Sequence, residues 1–393
     1  MHYLGTSERT ANEGKEVSMA SLFNKQTNLR ETSATLPGKP IAMPYDMRSE
    51  VTWIDFSNRA NPLGAPKPFI QEIHTAFVDG EHNFVPDRDG RAFRIAAARF
   101  LGISADNVLV GTSPTQLITY ASCAFDYCTV GASVPCPMAY ETAIENAGHR
   151  FLPLVNRVSF ASAGAYEAHK QGNFSGVVLG NPTYPASRLL PRQTLIHYLE
   201  TCDWVIVDES NIELTIGGES MVSLVDRYPN LIVVRNASTT FGIPGIPISY
   251  LVAHEDMIGH IEQFYAGTEI GMFGEVLAPM VSQQTGYLEE THDFLDNEIP
   301  WMQCMLSLVP GVNIFPAEGN FVLCEFAPSD ELRLGVRNAR DLVSSLQLTG
   351  FHVDDLDDTI GLPHGNFFCV AVRMREENER LLEAMRKIVR GND

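Results

Sequence analysis

From about residue 66 onward, short apolar runs rich in branched side chains alternate with longer stretches whose apolar residues recur at helical spacing. The runs are NVLVG (107–111), SVPC (133–136), GVVLG (176–180), WVIVDE (204–209), LIVVR (231–235) and ISYLVA (248–253). Each is continuously apolar and bounded by Gly, Pro or Asp, the pattern of strands covered on both faces in a mostly parallel sheet. Between them PRQTLIHYLETC (191–202) and TQLITYASCAF (115–125) have helical spacing. Such alternation predicts an α/β fold around one large sheet. After residue 254 the texture changes. A long helical stretch (255–308) leads to NFVLCEF (320–326), a helix near 338–347, FFCVAV (367–372) and a terminal helix ending near Arg390. This reads as a small α+β C-terminal domain. The expected division is an N-terminal arm (1–48), a large domain (49–260), and a connecting helix with the small domain (261–393).

Composition narrows the classes. The chain has 393 residues, 45% hydrophobic and 19% charged, as in an ordinary globular enzyme. A formal charge of −20 argues against nucleic acid and anionic membrane surfaces as partners. Seven cysteines occur singly, with no paired spacing and no Cys/His cluster, so no metal site is expected. Scattered thiols in apolar segments point to a reducing, cytoplasmic setting. No apolar run approaches the roughly 18–20 residues that span a bilayer. The first forty-odd residues are polar and aperiodic, read as an arm and not a secretory signal.

Seven strings then point one way. IDFSNRANPLGAP (54–66), NVLVGTS, VVLGNPTYPASR, VIVDES, NASTTFGIPGIPISYLVA, GNFVLCEF and VAVRMREENERLLEAMRKI occur in order over residues 50–390. Together they resemble the fold-type I pyridoxal phosphate (PLP) enzymes of the class I/II aminotransferase superfamily, with threonine-phosphate decarboxylases and histidinol-phosphate aminotransferases most similar. The resemblance implies an aminotransferase-like fold with a seven-stranded-type sheet, and a homodimer with sites at the subunit boundary.

It also implies a Schiff-base lysine, which PLP chemistry requires. The matching position is Thr239, in Asn236-Ala237-Ser238-Thr239-Thr240-Phe241. Of the six lysines (Lys15, Lys25, Lys39, Lys67, Lys170, Lys387), none adjoins the 236–241 motif, and Lys25 or Lys39 on the arm is the formal alternative for a relocated Schiff-base amine. Gly111, Thr112 and Ser113 match the phosphate turn, but Pro114 removes a backbone donor. The phosphate arginine is replaced by Pro247 and a partner-subunit tyrosine by Val85. Asp208 matches the carboxylate that pairs with the pyridine nitrogen. Tyr184 stands where an asparagine meets the ring hydroxyl, and Asn211 where a tyrosine is usual. Tyr140 falls one residue after the expected stacking position at Ala139. On the substrate side, Asn61, Asn320 and Arg373 match, Arg373 as the fork for an α-carboxylate. The acidic run 354–358 argues against a phosphorylated substrate; it reads as a solvated loop or as facing a cationic group.

Three functions follow. The first is a repurposed, PLP-independent enzyme acting on an amino-acid-like molecule in biosynthesis, with Asp208, Tyr184 and Thr239 as candidate catalytic residues. For the cofactor turn, Asn236, Ser238, Asn211 and Tyr140 join Gly111, Thr112 and Ser113 as candidates. The second is a non-catalytic protein that binds a ligand or partner. The third is an enzyme holding PLP or pyridoxamine phosphate non-covalently; no covalent cofactor is expected.

Overall fold

The computed structural model describes residues 53–155, 173–267, 270–328 and 335–391. The predicted N-terminal arm lies outside them. A seven-stranded sheet runs in the order Val108–Gly111, Ser249–Ala253, Leu231–Asn236, Trp204–Asp208, Gly176–Gly180, Thr129–Val134, Arg150–Val155. Ser249–Ala253 is antiparallel to both neighbours, and the other pairings are parallel. Alternate residues of one strand feed two cores. Val205 and Val207 pack with Phe69, Phe93 and Phe241 on one face. Trp204 and Ile206 pack with Leu117, Ile144 and Ile258 on the other. Two buried faces explain the uninterrupted apolar runs.

The expectation missed Arg150–Val155, an edge strand in which Pro153 interrupts the β-branched pattern. The predicted stretch 255–308 also divides, into helices Glu255–Ile261, Gly271–Val281 and Thr285–Ser307. Gly267, between the first two, and Gly271, at the start of the second, stand in the left-handed region.

A second core unites helix Thr285–Ser307, the antiparallel sheet Val312–Ile314, Phe321–Phe326, Phe367–Ala371, and helices Ala339–Leu348 and Arg375–Arg390. Ile54 and Phe56 join it from the start of the described chain. They arrive through a two-residue parallel ladder, Ile54–Asp55 against Phe351–His352. Helix Arg375–Arg390 is clasped to this core by charge. Arg375 donates three hydrogen bonds of 2.8–3.0 Å to the buried Glu298, and Asn378 Nδ2 donates a fourth at 2.8 Å. The guanidinium also stacks on Trp301 at 3.7 Å.

Candidate active site at the carboxyl ends of the sheet

Gly111, Gly180, Asp208 and Asn236 are the carboxyl ends of four strands that run in the same direction and finish on one edge of the sheet, where open α/β sheets place their ligands. Helix Pro114–Cys123 starts there. Several donors at this turn are met by its own residues. Gln116 N–H donates to the Ser113 hydroxyl at 3.2 Å. The Thr112 N–H and hydroxyl both donate to Gln116 Oε1, at 2.9 and 3.0 Å. Gly111 permits this folding back, since a Cβ there would stand 2.7 Å from Leu117 Cδ2.

The turn after Leu231–Asn236 is equally self-contained. Asn236 caps the short helix Ala237–Thr240, accepting from Thr239 N–H at 3.2 Å. The Ser238 hydroxyl donates to Ile246 O at 2.5 Å and accepts from Ile248 N–H at 2.7 Å. Ser238 and Asn236, expected as cofactor contacts, thus serve the 236–248 loop. Thr239 is half-buried, and among the described residues its hydroxyl has no hydrogen-bond partner, so no base activates it. Lys67 and Lys387 are the lysines among the described residues, and both are exposed.

Asp208 is also tied. Its Oδ2 accepts from Tyr140 at 2.8 Å, and its Oδ1 from the Ser210 hydroxyl and N–H at 2.5 and 3.0 Å. Burial, then the Asp208 charge, push the Tyr140 phenol well above its usual range, so it stays a donor. Tyr140 otherwise packs in the core beside Ile144.

The predicted substrate residues divide differently from expectation. Asn61 is buried and spends its amide inside the protein: Nδ2 donates to Thr240 O and Thr291 Oγ1 at 3.1 and 2.8 Å, and Oδ1 accepts from Leu63 N–H at 3.1 Å. Arg373 is not a free fork. It grips Glu377 through Nε and Nη2 at 3.0 and 3.2 Å, and Nη1 donates to Asp55 O at 3.3 Å. The strand ends at Ala371, so Arg373 lies beyond it and pairs at i,i+4 with the terminal helix. The strand residue that shares a cluster with Tyr184 and Phe321 is Cys369.

Sequence reasoning missed Arg59. Its carbonyl accepts from Asn320 Nδ2 at 2.8 Å and Asn211 Nδ2 at 3.2 Å, two of the predicted site asparagines. Its guanidinium lies over the Tyr184 ring at 3.9 Å. Tyr184 in turn donates to Asp354 Oδ2. Burial raises the Tyr184 phenol well above its usual range, against the pull of Arg59, so it too stays protonated. Within 354–358, Asp354 faces this corner. Asp357 turns away to Arg340 at 2.8 Å and His364 at 3.6 Å, so the run is an ordered loop more than a solvated one. No motif marked Arg59; its signal was a lone cation inside the otherwise uncharged stretch SNRANPLGAP.

Comparison with known proteins identifies the family and the fold. Residues 51–353 match the family described as aminotransferase class I and II, and the chain belongs to that family. It is 27% identical over 334 residues to a putative threonine-phosphate decarboxylase of Caldanaerobacter subterraneus subsp. tengcongensis, covering 83% of this chain and 88% of the relative. It is 26% identical over 348 residues to a histidinol-phosphate aminotransferase of Thermococcus gammatolerans, covering 88% and 95%. The histidinol-phosphate aminotransferase of Sinorhizobium meliloti, solved in complex with pyridoxal-5'-phosphate, superposes with a TM-score of 0.74 at 17% identity over 88% of this chain and 93% of its own. The aminotransferase-like fold expected from the seven strings is therefore the fold of this protein. Among the described residues no helix is long and apolar enough to cross a membrane.

Proposed function

We propose that this aminotransferase-family protein holds an amino-acid-like small molecule in its cleft without Schiff-base chemistry and without a resident PLP. The observation that carries this reading is the closed cup. Gln116 Oε1 takes up the Thr112 donors, and the Ser238 hydroxyl is spent on Ile246 and Ile248, where a phosphate would need them. With Thr239 in the lysine position and Pro247 in the arginine position, the residues present do not fit a covalently held PLP. The Thr239 hydroxyl lacks a base and Asp208 is already paired, which favours a binding role over a catalytic one.

Assembly as a homodimer is part of the proposal. Ile70, Phe77, Val78, Phe84 and Val85 are all more than half exposed, Val85 at 90%. Such a run of apolar side chains suits contact with a second copy.

The test is to titrate the purified chain with PLP, follow absorbance, reduce with borohydride and weigh the product. The expected result is no aldimine band and no added mass. A stoichiometric adduct on any lysine overturns the reading.

A further inference from the structure

Resting on the reading that the cleft holds its ligand non-covalently, we infer that Arg59, set against Asp354, is the recognition residue for a zwitterionic ligand carrying one carboxylate and one ammonium group.

Three observations carry it. First, Arg59 is held for a purpose. Two buried or half-buried asparagines, Asn211 and Asn320, donate to its carbonyl from separate segments, and Tyr184 supports one face of its guanidinium at 3.9 Å. A cation fixed at both backbone and side chain loses little freedom when it binds, which is preorganisation.

Second, the fork holds no close carboxylate. The nearest carboxylate oxygen, Asp354 Oδ2, is 3.7 Å from Nη1, and the other group against the guanidinium is the neutral Tyr184 side chain. Arg375 and Arg373 instead grip Glu298 and Glu377 through Nε and Nη2 at 2.8–3.2 Å. Asp354 Oδ2 is engaged by the Tyr184 hydroxyl, which leaves Arg59 with a distant and shared partner. The Arg59 side chain keeps 32% of its surface exposed.

Third, the charges select the ligand class. Around the corner stand the Arg59 cation and two carboxylates, Asp354 beside it and Asp208 at the strand end, joined to Tyr140. A phosphate dianion would sit among carboxylates of its own sign. A ligand with a carboxylate for the Arg59 fork and an ammonium for the acidic side leaves the local balance nearly unchanged.

The test starts with footprinting of the full-length protein. Phenylglyoxal, an arginine-selective reagent, is applied alone, with a mixture of the common amino acids, and with inorganic phosphate, and Arg59 is followed by peptide mass. The expected result is reaction at Arg59 that the amino acids block and phosphate does not. The member of the mixture that protects is then measured by calorimetry. Arg59→Ala should weaken it by roughly 30-fold or more, and Arg59→Lys should restore part, since an ammonium keeps the charge without the fork. Asp354→Asn should weaken the same amino acid while leaving its deaminated carboxylic acid unaffected or tighter. An Arg59 that does not react, or that no amino acid protects, overturns the inference. So does equal protection by phosphate, or equal binding by Arg59→Ala. If Arg59→Ala does not fold by circular dichroism, the footprint and Arg59→Lys decide. A lysine adduct in the borohydride experiment defeats the underlying reading; its absence together with an unprotected Arg59 defeats this inference alone.

Discussion

Two arginines stacked on aromatic rings behave as opposites. Arg375 lies on Trp301 at 3.7 Å and grips the buried Glu298; Arg59 lies on Tyr184 at 3.9 Å and has its nearest carboxylate, Asp354, only at 3.7 Å. The ring contact is the same. What differs is whether the planar donors find their acceptor inside the protein. At the clasp they do, and the result is a joint between helices Thr285–Ser307 and Arg375–Arg390. At the cleft corner the backbone is fixed but the donors are not, an arrangement suited to something that arrives from outside.

The comparison is broken most severely at the clasp. Arg375→Ala leaves Glu298, with 4% side-chain exposure, facing a single amide, and should cost about 3 kcal/mol, at the low end for a buried carboxylate losing its partner because Arg375 itself is partly exposed. Urea unfolding measures this, and a loss near zero would show that Asn378 alone satisfies Glu298. Next comes the cup. Gln116→Ala removes the acceptor of both Thr112 donors and should cost about 1 kcal/mol. It should also give the variant a measurable affinity for inorganic phosphate by calorimetry that the parent lacks. Smaller still is the stability effect of Arg59→Ala. Its long ion pair and ring contact together amount to about 1 kcal/mol or less, so the unfolding midpoint should scarcely move. A large destabilisation would place Arg59 with the structural arginines.

The smallest effect is with pH, at the Ile54–Asp55 ladder. Burial raises the Asp55 carboxyl, but hydrogen bonds from His352 and Ser57 outweigh it and bring the carboxyl down to about 2. The bond to Asp55 raises His352 against its own partial burial. A lowered acid contributes stability above its ordinary value of 3.8 and loses it as pH falls toward 2. A raised histidine contributes below its ordinary 6.5 and loses it as pH rises through its folded value. The ladder is therefore tightest between these two ordinary values. In urea midpoints across pH, His352→Gln should flatten the alkaline side of the profile.

The sheet was legible because strands buried on two faces are written as unbroken apolar runs, and the runs at 176–180 and 204–209 fall on strands Gly176–Gly180 and Trp204–Asp208. Edge strand Arg150–Val155 was not, since one covered face and a proline blur that signature. At the site, the position of Asp208 was readable from its place at a strand end, while the donors occupying it were not. Tyr140 reaches it across 68 positions, a contact no local spacing encodes. Arg373 misled because a motif gives residue order and not where a strand stops. The Glu377 four residues on was the available sign of a helix-entry pair. Arg59 depends on carbonyl contacts from 152 and 261 positions away, which only the folded chain brings together.

The ladder has a consequence for how the molecule is made. His352 and Asp55 are 297 positions apart, and Phe56 O accepts from Ala371 N–H at 2.8 Å. On a ribosome adding about 5–20 residues each second, the segment bearing Ile54, Phe56 and Arg59 waits roughly 15–60 s for its partners to emerge. Its two apolar side chains stay unburied throughout that interval, available to chaperones. The Arg59 corner is then among the last parts to be assembled, because Asn320 and Asp354 both come late in translation. A chain that stops short of residue 354 lacks Asp354 and the strand Phe367–Ala371, and so cannot form this corner.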